Sequence, residues 1–167
     1  MTDVDAPADA APAGEFRHAF RIGTRWLLIP LGMPAEVYPP LPCARLPFTQ
    51  HWCLGLASFR GDVAPVYDLA ALLGERSANP SRYLLALGRR EACAALGIDD
   101  ITGITVPPDT PTAPPPPLPE PLSELAQHSL TVDAVPYLDS DLGGLLVLLA
   151  QRACQINFAT LTSESVR

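Results

Sequence analysis

The first patterned stretch is EFRHAFRI, residues 15–22, where Phe16, His18, Phe20 and Ile22 share one parity and Arg17, Ala19 and Arg21 the other. A period of two places one set on each side of an extended strand. Gly23-Thr24 follows, and glycine accepts the positive φ that a two-residue hairpin turn requires. The segment RWLLIP, 25–30, is therefore expected to return as the partner strand. From 31 to 47 the chain reads LGMPAEVYPPLPCARLP. Each proline lacks a ladder donor, so this stretch belongs at a sheet edge or in a loop.

Residues 52–60 and 62–66 read as two strands around a turn. Asp68, followed by LAALL and Gly74, has the residue types of a helix N-cap and a C-terminal stop. Short apolar runs at 82–87, 93–98 and 101–106 predict three further strands. The segment 107–121, PPDTPTAPPPPLPEP, is too rich in proline for regular structure and favours an extended polyproline conformation. Beyond it, 129–138 and 144–150 are expected to form a last strand pair around a turn at 139–144. Residues 1–14 lack apolar periodicity and read as a disordered tail, and 156–167 read as a second tail. The sum is an all-β chain of about ten short strands, with turn signals at the spacing of a sandwich or barrel.

Composition narrows the function more than the fold. The chain has 167 residues, 48% hydrophobic and 17% charged, which suits one domain or two small subdomains sharing a core. All 11 basic residues are arginine, so lysine Schiff-base and P-loop chemistry are excluded. A net charge of −7 opposes nucleic-acid binding, which needs a basic footprint. Cys43, Cys53, Cys93 and Cys154 form no C-x-x-C pair, and His18, His51 and His128 share no ligand spacing. No basic-then-apolar leader pattern is present at the start, and the longest apolar run, 145–150, is too short to cross a bilayer. A cytoplasmic protein with reduced thiols and no metal or cofactor is expected.

The stretch WCLGLASFRGDVAPVYDLAALLG, 52–74, resembles the signature of CheW-like domains, G-hydrophobic-x-x-hydrophobic-R-G-x-hydrophobic-x-P-V-x-D-L. Gly55, Leu56, Phe59, Arg60, Gly61, Val63, Pro65, Val66, Asp68 and Leu69 all fit it. Flanking pieces follow in the same order: Ile29-Pro30-Leu31, Glu36-Val37, Leu46-Pro47, and GIDDITGI at 97–104. The resemblance implies two small five-stranded β-barrels packed side by side with short helices, spanning 15–155. It implies a non-catalytic adaptor between a CheA-type histidine kinase regulatory domain and the cytoplasmic tip of a methyl-accepting chemoreceptor, at receptor arrays on the inner face of the membrane. Trp52 and Gly55-Leu56-Ala57 resemble the PilI-like branch, which serves type IV pili and twitching motility. The partner-binding residues implied are Glu36, Leu54, Gly55, Leu56, Phe59, Arg60 and Gly61, with Leu54, Leu56 and Phe59 as exposed apolar contacts. Pro65 and Asp68 are structural members of the signature. Pro34 departs from the family, which usually has a strand residue there.

Each feature has a plainer reading. The tripeptide Arg60-Gly61-Asp62 is a turn before it is an adhesion loop, since nothing marks the chain for export. Arg60 either serves an interface, where five fixed donors suit a partner carboxylate, or closes an internal ion pair. Pro114–Pro117 either form a mobile loop or dock a polyproline reader. The alternative to an adaptor is a small β-barrel hydrolase, for which the sequence offers only the pairs Asp99-Asp100 and Asp139/Asp141. No small-molecule substrate is expected.

Overall fold

The computed structural model describes residues 14–75 and 81–154. In chain order the strands are β1 (Glu15–Ile22), β2 (Arg25–Leu28), β3 (Ala35–Tyr38), β4 (Cys53–Phe59), β5 (Asp62–Tyr67), β6 (Tyr83–Leu87), β7 (Ala94–Ile98), β8 (Asp100–Val106), β9 (Thr112–Ala113), β10 (Ala126–Val132) and β11 (Val135–Ser140). Helices α1 (Leu69–Leu72), α2 (Leu122–Leu125) and α3 (Leu142–Ala153) are interspersed. The strands form two sheets, one of six in the order β8-β1-β2-β11-β10-β9 and one of five in the order β3-β6-β7-β5-β4. The expected all-β architecture of two small subdomains is present, with six strands instead of five in one and an open strand order in each.

The first hairpin closes as its sequence requires. Gly23 has φ +57, Ile22 pairs with Arg25, and the buried Asp99 carboxylate accepts from the Gly23 amide at 2.6 Å. On the even parity of β1, Phe20 and Ile22 face the second sheet. The odd parity is covered as well: Ala19 packs with Leu28, Leu130, Val132 and Tyr137 in a small core of its own. Arg17, expected on a polar face, is therefore buried, 3.7 Å from Asp139 and 3.6 Å from Glu15. In the second sheet β6 and β7 are buried at nearly every position, because Leu85, Leu87, Leu96 and Ile98 meet the first sheet while Leu84, Ala86 and Ala95 face a second small core. Such strands read as continuous apolar runs rather than alternations.

Three expectations need correction in the C-terminal third. Residues 129–138 are not one strand: Asp133 and Ala134, at φ +49 and +62, turn the chain between β10 and β11. Residues 144–150 are not a strand at all. They lie within α3, where Leu142, Leu145, Leu146, Leu149 and Ala153 are buried at helical spacing. Asp141, expected in a turn, accepts from the Gly144 amide at 2.9 Å as the N-cap of α3. A short apolar run does not distinguish a buried strand from a buried helix by itself. The proline-rich segment also contributes structure. Thr112 and Ala113 pair with Leu130 and Ser129 at the sheet edge, and Leu118 packs on the main core. The two tails expected from composition lie outside the described residues, apart from Gly14.

The helical assignment of 142–153 makes a contrast that a strand would not. Leu145 and Val147 would share a strand face, yet Leu145 is 1% exposed and Val147 59%. Val147→Lys should change stability by no more than about 0.5 kcal/mol. Leu145→Lys buries an unpaired ammonium and should cost more than about 4 kcal/mol or prevent folding. Urea melts of the two variants check this; equal damage from both would overturn the helix.

Candidate functional site

Strands β4 and β5 form a hairpin in which Phe59 pairs with Asp62, so Arg60 and Gly61 are the two turn residues. Both have positive φ, +51 and +94, the requirement of the mirror-image turns that match the twist of paired strands. Glycine adopts this freely and arginine only at some cost. The turn carries the Arg60 side chain clear of the surface, 77% exposed. Its Nη1 lies 3.2 Å from Oε1 of Glu36, itself 48% exposed. The other carboxylate oxygen of Glu36 accepts from the Tyr38 hydroxyl. That bond, then burial, pushes the Tyr38 phenol above its ordinary range. Tyr38 stacks edge-on against Phe59 at 5.0 Å.

Arg60 thus makes an ion pair within the chain, but on the surface. Exposed pairs of this kind contribute about 0–1 kcal/mol. The pair serves position more than stability: it fixes a hairpin tip against an edge strand of the same sheet.

The seven implied partner-binding residues divide by location. Glu36, Arg60 and Gly61 are exposed at the hairpin tip and the neighbouring edge. Phe59 is not an exposed contact, being 4% exposed within a small core. Leu54 and Leu56 are only half-exposed, and Leu54 packs on the same core. Leu56 exchanges both backbone hydrogen bonds with Ala44, at 2.8 and 2.9 Å, and this stitches the proline-rich 39–47 segment to β4. Gly55 has φ +123, and a Cβ there would meet the Ala44 carbonyl oxygen at 2.2 Å. Position 55 therefore holds glycine for close backbone approach. Pro65 pairs with Leu56, and Asp68 caps α1 by accepting from the Ala71 amide at 3.0 Å.

Edge strand β3 separates two grooves. On one side Glu36 and Tyr38 join Pro34, Phe59, Arg60, Asp62, Arg89, Arg90 and Cys93 around about 430 Å³. On the other, Val37 joins Phe16, Arg17, His18, Leu31, Met33 and Ile101 around about 380 Å³. The alternation of a strand produces this division, and Ala35 touches both. Phe16, Leu31 and Val37 are exposed large apolar side chains. The tip of the Phe16 ring reaches Gly103, where a Cβ would come within 2.5 Å of it. Tyr38, Arg89 and Arg90 were not among the residues the sequence singled out. The pair GRRE at 88–91 carried the only available signal, polar residues between two buried strands.

The carboxylates that a hydrolase would need are otherwise engaged. Asp99 holds the first hairpin, Asp100 bonds the Ile101 amide, Asp139 meets Arg17 and His128, and Asp141 caps α3. Burial pushes the Cys43 and Cys93 thiols up, away from the thiolate a nucleophile needs. No grouping of His, Cys, Asp and Glu suited to a metal occurs among the described residues. No helix among them is long and apolar enough to cross a membrane.

The chain is similar in sequence and fold to known proteins. The chain is 31% identical over 87 residues to PilI of Pseudomonas aeruginosa, a match covering 51% of this chain and 49% of that protein, so it spans about half the length of this relative. It is 29% identical over 154 residues to a probable chemotaxis protein CheW of Rhizobium etli, covering 88% of this chain and 86% of that one. The crystal structure of a CheW scaffolding protein from Thermoanaerobacter tengcongensis superposes with a TM-score of 0.63 at 18% identity, over 77% of this chain and 89% of that one, and so shares the fold. The profile of the CheW-like domain matches residues 18–140, most of the two-sheet unit, and the chain belongs to the CheW-like domain family.

Proposed function

We propose that the protein is a non-enzymatic coupling adaptor of chemosensory signalling, joining a CheA-type histidine kinase to the cytoplasmic tip of a methyl-accepting chemoreceptor. The observation that carries this reading is the shared wall. A single edge strand presents Glu36 and Tyr38 to a groove lined by Arg60, Asp62, Arg89 and Arg90, and Val37 to one where exposed Phe16 and Leu31 stand beside Arg17 and His18. Two grooves a strand's width apart, one richer in charge and one richer in exposed apolar side chains, suit a protein that holds two partners together. Family membership and the relatives named CheW and PilI support the adaptor role. The likeness to PilI favours a pilus-based output, and the adaptor works on the cytoplasmic side of the membrane, where the receptor tips lie. The hydrolase alternative has no convergent acid–base group to support it.

The two grooves are tested separately. Arg60→Ala breaks an exposed pair and should cost the fold no more than about 1 kcal/mol. If the guanidinium is desolvated against a partner, binding should weaken by about 2–5 kcal/mol. Val37→Asp places a charge beside the exposed Phe16 and Leu31 of the second groove and should likewise leave the domain folded, because Val37 is exposed. Pull-downs with the receptor tip and the kinase regulatory domain are expected to show each variant losing one partner more than the other. A well-folded Arg60→Ala protein that holds both partners at full strength would refute its role. Deletion of the gene should abolish twitching and spare swimming; the reverse outcome would move the protein out of the pilus branch.

A further inference from the structure

The polar groove beside β3 holds more than the Glu36–Arg60 pair. Its opposite lip is the turn between β6 and β7, which presents Arg89 and Arg90. Both are exposed, and neither makes an ion pair among the described residues. In a chain of net charge −7, three of 11 arginines thus converge on one groove. They face two carboxylates, Glu36 and Asp62, and the former is already engaged by Arg60 and Tyr38. The backbone adds a second observation. Arg90 has φ +50 and Arg60 has φ +51, so an arginine occupies a left-handed position on each lip. Such positions favour glycine or asparagine and are strained for other residues. Neither arginine is needed for its turn, and both project into the same groove. The groove is also lined by apolar groups, Pro34, Ala86 and Phe59.

We infer that this groove binds an acidic protein segment, one that places carboxylates against Arg60 on one lip and against Arg89 and Arg90 on the other, with an apolar side chain between. Arginine suits the task because its planar fork meets a carboxylate with two parallel bonds. The inference rests on reading this groove as a docking surface of the adaptor, and it specifies the chemistry of what docks.

The probe is a synthetic peptide of alternating glutamate and leucine, titrated into the full isotope-labelled chain and followed by amide chemical shifts. Its control is the same peptide with glutamine for glutamate. Shifts are expected to cluster at 34–38, 59–62 and 86–93, to weaken as salt is added, and to vanish with the glutamine peptide. The double variant Arg89→Glu/Arg90→Glu should weaken the peptide at least about tenfold, a change of about 1.4 kcal/mol. Arg90→Gly, which relieves the strained φ while removing the charge, should be as stable as the parent or more so and still bind more weakly. Shifts scattered over the surface, an equal response to the glutamine peptide, or full affinity in the charge-reversed variant would each overturn the inference. Loss of coupling in Arg60→Ala alongside unaltered peptide binding in Arg89→Glu/Arg90→Glu would sink the acidic segment and leave the adaptor standing. Peptide binding as expected, with both kinase and receptor indifferent to Arg60→Ala and Val37→Asp, would do the opposite.

Discussion

Everything in this protein is arranged around one apolar layer between two sheets. Phe20, Ile22, Leu27 and Ile29 from the first meet Leu85, Leu87, Leu96 and Ile98 from the second, and α3 seals the layer with Leu142, Leu145 and Leu149. Each such side chain contributes about 1.5–3 kcal/mol when fully buried. Neither sheet could leave its second face wet, because both strand parities are apolar in β6 and β7, and Ala19 and Leu28 point away from the shared layer. Each sheet therefore curls over a small core of its own. The paired sheets bring β3 to the outside, and with it the two grooves.

The parts legible in the sequence were those governed by local chemistry. A glycine at a hairpin, an aspartate before LAALL and the prolines of 31–47 in the loops flanking an edge strand each act over three or four residues, and each is found where its chemistry predicts. The signature around Arg60-Gly61 located the hairpin tip. What failed was every inference that needed to know what lies across the core. Phe59 looks like a surface contact in a motif, yet the pleat turns it inward. Arg17 looks solvated by parity, yet a second core covers that side. Residues 144–150 carried too little pattern to separate helix from strand. The decisive cue lay just upstream, in Asp141 and the spacing that begins at Leu142.

The site shows the same division. Glu36 and Arg60 are 24 positions apart, and nothing local announces that they meet. Only the register of β3 on β6 and the order β6-β7-β5-β4 carry them to one place. Arg89 and Arg90 arrive there by a third route, the turn that follows β6. The signature glycine at 55 has a purely steric reason, the Ala44 carbonyl pressed against it. A residue can belong to a functional signature while acting only on the backbone behind the surface.

Strand β3 has four residues and a single neighbour in its sheet. Its two rows of side chains line different grooves, but its backbone is one object. Were a ligand in one groove to tilt the strand, the other groove would change with it, and the free energy of that exchange would be the same in both directions. A short edge strand shared by two grooves would thus couple their occupancy through its own backbone.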